Sequence, residues 1–169
     1  MPDDVAVTDT SSIIQLRDLE ITRNDLPIVL GKLTELVNGN SLVFPKEVIP
    51  ELERHTSPDS RSQILVDWAR SSSLLATRHT VPLETVKLVL QRVPDVLDPD
   101  KHGVEEADHY VSALAVHFNA EGHQVTVLTE ETRDRAYKWS MTRACGHLRL
   151  IRLPIEGFLH EKGIWWRSR

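Results

Sequence analysis

Val5-Ala6-Val7-Thr8-Asp9-Thr10-Ser11-Ser12 sets a short β-branched, apolar run against an acid and three hydroxyls. A run without polar alternation reads as a parallel strand covered on both faces. It stops at Asp9, and any of Asp9, Thr10, Ser11 or Ser12 can cap a helix beginning around Ile13. A strand that hands an Asp to a helix entrance opens an α/β domain. The alternation continues along the chain. Leu26, Val29, Leu30, Leu33 and Val37 form a helical stripe with Asp25 as cap, and Asn38-Gly39-Asn40 closes it. Ser41-Leu42-Val43-Phe44 reads as a second strand, and Pro45 opens the next helix. Further helices are predicted over 60–72 and 82–93, with a loop at 95–103. A stripe through Ala107, Val111, Leu114, Ala115 and Phe118 marks a helix from Glu105, ended by Gly122. Val125-Thr126-Val127-Leu128 is a strand, and Thr129-Glu130-Glu131-Thr132 reads as a helix entrance. A basic helix is predicted over 133–144, then a strand at 148–151 and a last helix over 154–160. The fold class is therefore α/β, a short central parallel β-sheet flanked by helices.

The chain has 169 residues, 40% apolar and 27% charged, enough for one domain with a real core. A single domain over 1–169 is expected, with its core at 5–160 and a short tail at 161–169. The apolar fraction excludes a disordered chain, and no stretch approaches ~18 apolar residues. The acidic start, Met1-Pro2-Asp3-Asp4, lacks the order of a secretory signal. Cys145, the single cysteine, forms neither an internal disulfide nor a cysteine-based zinc site, which fits a reducing cytoplasm. Among the eight histidines no His-Glu-x-x-His motif occurs.

The net charge of −5 argues against a protein that coats nucleic acid by bulk charge. The charge is unevenly placed. Residues 1–60 hold 11 acids against 5 bases, whereas 133–152 holds Arg133, Arg135, Lys138, Arg143, Arg149 and Arg152 against Asp134 alone.

Ligands of an open parallel sheet bind at the carboxyl ends of its strands. Asp9 follows the first strand, and Glu130-Glu131 follow the strand at 125–128. Glu51 and Asp108 lie near helix starts. Carboxylates gathered from distant parts of a chain repel one another, and a hard divalent cation such as Mg²⁺ or Mn²⁺ relieves them. Such a site suits hydrolysis of a phosphodiester.

Four blocks carry a resemblance: Val5–Ser12, Phe44-Pro45-Lys46-Glu47-Val48-Ile49-Pro50-Glu51-Leu52, Ala107-Asp108-His109-Tyr110-Val111-Ser112-Ala113-Leu114-Ala115 and Val127-Leu128-Thr129-Glu130-Glu131. In this order they resemble the PIN-domain nucleases. The resemblance implies a Rossmann-like three-layer sandwich and an endoribonuclease dependent on Mg²⁺ or Mn²⁺. Its substrate would be single-stranded RNA. Members are often VapC-like toxins of type II toxin–antitoxin pairs, which implies a small antitoxin partner and a homodimer. The same resemblance makes Asp9, Glu51, Asp108 and Glu131 the catalytic and metal-binding acids. It places Thr10 or Ser11 beside the first Asp and gives Thr129 a supporting hydroxyl. Glu131 stands where the family often has Asp, with Glu130 and Asp134 as rivals. Pro50 disturbs the register of Glu51, with Glu47 in reserve.

Other readings stay open. Asp9 also reads as a helix cap, Asp108 as a first-turn acid, and Thr129–Thr132 as ordinary capping chemistry. The basic segment is either a solvated face or a phosphate contact through Arg133, Arg135 and Lys138, with Trp139 as a stacking face. His109 and Cys145 read as packed side chains, and Trp165-Trp166 as cover for a hydrophobic edge or a partner surface. A PIN fold that has lost catalysis and acts as a binding protein is the alternative to the nuclease.

Overall fold

The first strand, β1 (Asp4–Thr8), is buried from Val5 to Thr8, so side chains on both of its faces are covered. That is why the run carries no polar alternation. In the computed structural model, which describes residues 3–57, 60–101 and 103–168, β1 leads into α1 (Thr10–Asp18) and α2 (Asp25–Asn38). There follow β2 (Leu42–Val43), α3 (Val48–His55), α4 (Ser60–Ala76), α5 (Leu83–Arg92) and a single 3-10 turn at Pro94–Val96. The chain ends with α6 (Asp108–Ala120), β3 (Gln124–Leu128), α7 (Met141–Leu148), β4 (Ile151–Leu153) and α8 (Ile155–Glu161).

The four strands are all parallel, in the order β2-β1-β3-β4. Helices α1 to α4 and α8 pack chiefly among themselves, as do α5 to α7, which gives a three-layer α/β sandwich. The strand order reverses between β1 and β3, because the chain leaves β1 toward β2 and returns on the other side. A crevice opens at the carboxyl ends of the strands at such a switch point. No helix among the described residues is long and apolar enough to cross a membrane.

Three parts of the sequence reading are corrected. Residues 129–140 are not helical. Arg135 and Lys138 form an antiparallel bridge, and α7 begins only at Met141, where the Ser140 hydroxyl caps it by accepting from the Arg143 amide. Arg133, Arg135 and Lys138 therefore lie on a loop and its hairpin, and the helical capping read into Thr129–Thr132 is absent. The last strand is Ile151–Leu153, because α7 runs through Gly146 to Leu148 and Arg149 turns left-handed (φ 57°). The third helix starts at Val48, not at Pro45. Pro50 then lies in the first turn, where its missing N–H has no intrahelical partner to lose.

Glu130, a rival ligand in the sequence, has a structural task. Its Oε1 accepts from the Ile155 amide at 2.7 Å, at the start of α8, and its own amide donates to Ser11 Oγ at 3.0 Å. Glu130→Ala removes a helix-capping acceptor, a loss of about 1 kcal/mol. The midpoint of thermal unfolding should fall by roughly 2–4 °C for a domain of this size.

Candidate metal centre

Asp9 does two things at once. It is the N-cap of α1, with Oδ1 accepting from the Ser12 amide at 2.9 Å and from Ser11 Oγ at 2.7 Å. Its other oxygen, Oδ2, is buried without a hydrogen-bond partner. The backbone amide of Asp9 donates to Leu128 O at 3.0 Å, which ties the end of β1 to the end of β3. The capping and ligand readings of this residue are therefore compatible.

Asp108 opens α6 and is buried. Glu131 is half-buried on the loop after β3, its amide donating to Thr129 Oγ1 at 3.1 Å and its carbonyl accepting from the Thr142 amide and hydroxyl. One carboxylate oxygen from each of Asp9, Asp108 and Glu131 lies within 4.8 Å of the others. Two unit charges 4.8 Å apart repel by about 3.5 kcal/mol at an effective dielectric near 20. Burial first, and then the Asp108 charge, push the Asp9 carboxyl up to about 8, although the Thr129 and Ser11 hydroxyls and the Ser12 amide offset part of this. Glu131 is also held above the ordinary carboxylate range, by burial and then by Asp108.

Lys138 supplies the buried positive charge among the acids, and Arg135, which borders the same cavity, acts more weakly on Glu131. The Lys138 Nζ donates to Asp108 Oδ2 at 2.7 Å and to Glu131 Oε1 at 3.2 Å, and the side chain is 2% exposed. Burial alone lowers its pKa, but the two carboxylates outweigh that and hold it above the usual lysine value. One ammonium does not balance three carboxylates. An unpartnered buried oxygen and an oxygen-only donor set fit a hard cation, and this triad can hold a metal ion.

Thr10, Ser11, Glu51, Asp108, Glu131 and Lys138 line a cavity of about 260 Å³ beside the triad. Glu51 faces it without joining the three oxygens: its Oε2 accepts from the Ala107 amide at 2.9 Å and so orders the entrance of α6. Glu47, the reserve, is buried and also outside the triad. Asp134 accepts from the Ser140 amide and from Arg143, bracing the loop ahead of α7, and these bonds hold its carboxyl below the usual range. Thr129 is fully buried, with its hydroxyl 3.5 Å from that of Ser11.

Arg133 and Arg135 are exposed, and Arg135 borders the acidic cavity. Trp139 is not a free stacking face, since the Arg143 guanidinium sits 4.0 Å from its ring centroid and His147 lies against it. His109 is buried and packs on Tyr110, and burial lowers its pKa. Cys145 is buried and its thiol is pushed up to about 12, which leaves it no nucleophilic character at neutral pH. Trp165 joins the core while Trp166 is exposed.

Lys138, read from the sequence as a phosphate contact, is instead buried against Asp108 and Glu131; a lysine in a basic run gives no sign of such burial. Glu106 was missed. It borders the cavity and accepts from the Asp98 amide at 3.0 Å. No family model, curated protein or solved structure matches this chain.

The raised Asp9 pKa sets a pH dependence for the metal-free protein. Between about pH 4 and about pH 8 the unfolded chain has lost this proton and the folded chain retains it. Stability therefore falls as pH rises through that window, by up to ~1.4 kcal/mol per pH unit from this group. Thermal unfolding in chelator should show the fall, and Asp9→Asn should flatten it.

Proposed function

We propose that this chain is an endoribonuclease dependent on Mg²⁺ or Mn²⁺, acting in the cytoplasm on single-stranded RNA. The observation that carries the reading is the convergence of Asp9, Asp108 and Glu131, from three distant segments, with an unpartnered buried oxygen among them. Oxygen-only ligands at a strand-end crevice favour a hard divalent ion over a softer one. Such an ion supplies, when bound, an acidified water and neutralisation of phosphodiester charge. Asp9 and Asp108 are the buried anchors, and Glu131 is the ligand nearest solvent. Ser11 and the Ser12 amide orient Asp9 through Oδ1, while Thr129 fixes the loop that presents Glu131. Arg133 and Arg135, exposed at the rim, hold the RNA backbone by charge.

A second reading has its own observation. Lys138 already pairs with two of the three acids, so it can serve as a permanent internal counter-ion in a fold without catalysis. Calorimetric titration with Mn²⁺ separates the two. The nuclease takes up the ion, and metal-dependent RNA cleavage stops in chelator. Asp9→Asn should cut the cleavage rate by more than about a hundredfold while the fold persists. Lys138→Met should bind Mn²⁺ more tightly than the parent, because the competing ammonium is gone. Absence of Mn²⁺ uptake by the parent together with uptake by Lys138→Met would establish the internal counter-ion instead.

A further inference from the structure

The hairpin that carries Lys138 into the acidic cluster presents an aromatic ring one residue earlier. Tyr137 is 82% exposed. Its ring and hydroxyl have no hydrogen bond, ring contact or cation among the described residues. Its backbone is left-handed, with φ 63°, a conformation bulky residues avoid and a turn ordinarily gives to Gly or Asn. The bridge holds it there: the Arg135 amide donates to Lys138 O at 2.9 Å and the Lys138 amide to Arg135 O at 3.1 Å. The Trp139 amide donates to Asp95 O at 2.7 Å and fastens the hairpin to the turn at Pro94–Val96. Asn40 and Arg149 share this backbone conformation, but at Tyr137 it coincides with an exposed aromatic ring that packs on nothing, next in sequence to Lys138 of the acidic cluster.

Tyr137 lines an open groove of about 540 Å³ together with Pro94, Asp95, Leu97 and Pro99. On the same loop, Arg133 and Arg135 line the surface next to Glu131. We propose that the groove seats an unpaired nucleobase of the RNA, stacked on the Tyr137 ring, while the adjoining phosphates run over Arg133 and Arg135 toward the acidic triad. The division follows from charge. Apolar walls and an aromatic face suit a planar base, the Asp95 carboxylate in the groove rejects phosphate, and the arginines accept it, Arg135 by exchanging its 3.7 Å pair with Asp98 for the phosphate. A base seated this way must be out of its helix, so the ligand is single-stranded. This inference rests on the nuclease reading above.

The test measures fluorescence anisotropy of a labelled single-stranded oligoadenylate, with Mn²⁺, in the Asp9→Asn background so that the strand is not cut. Tyr137→Ala should weaken binding about tenfold, and Tyr137→Phe should stay within about twofold of the parent. Tyr137→Gly relieves the backbone, so its thermal midpoint should hold or rise while its RNA affinity falls as in the alanine variant. Unchanged affinity in Tyr137→Ala overturns the stacking proposal and leaves the nuclease standing. Unchanged affinity with altered self-association by sedimentation overturns it in favour of a protein contact. If neither the wild-type chain nor Asp9→Asn binds RNA, the nuclease reading falls and the stacking site with it.

Discussion

Three carboxylates share a space in which two of the side chains are almost wholly removed from water, and everything around them answers that repulsion. A proton on Asp9, the Lys138 ammonium and a cation are the three available remedies, and they compete. The amide and hydroxyl bonds to Asp9 Oδ1 lower the cost of its charge without cancelling it. The sheet supplies the rest of the arrangement. Because β1 and β3 are neighbours at the switch point, the acids that follow them meet at one end of the molecule, and α6 delivers Asp108 to the same place. The stability of the crevice and its affinity for positive charge are thus two expressions of one electrostatic imbalance.

Much of this was legible in the amino-acid order. The Val5–Thr8 run announces a strand buried on both sides, and the acid that ends it lands where a parallel sheet binds ligands. Asp108 was legible because it stands one residue past the start of an apolar stripe. The loop after β3 was not. Its arginines and lysine are good helix formers, and Ala136-Tyr137 offers none of the Gly or Asn chemistry by which such turns are usually recognised. The true helix start was signalled locally by Ser140, but the charge run drew the predicted boundary too early.

Glu51 illustrates a second kind of limit. Sequence order placed it near the site, and it does line the cavity. What it touches depends on where α3 begins, and a start at Val48 turns its carboxylate to the Ala107 amide. It therefore acts on the acids through the backbone that presents Asp108. Glu130 and Asp134 show the same thing: neighbouring acids in one loop divide into a member of the acidic triad, a helix cap and a loop brace according to which groups each can reach.

The pairing of β1 with β3 joins Val5 to Val125, with most of the chain between them. Closing so long a loop is entropically unfavourable and slow, and contacts of this separation form late. During synthesis the first strand meets β2 early, but its other edge emerges long before β3 exists, and until then that edge of Val5–Thr8 has no strand partner. A ribosome-bound fragment lacking the segment after β3 has neither Glu131 nor Lys138. The acidic pocket forms only once the segment after β3 has joined the fold.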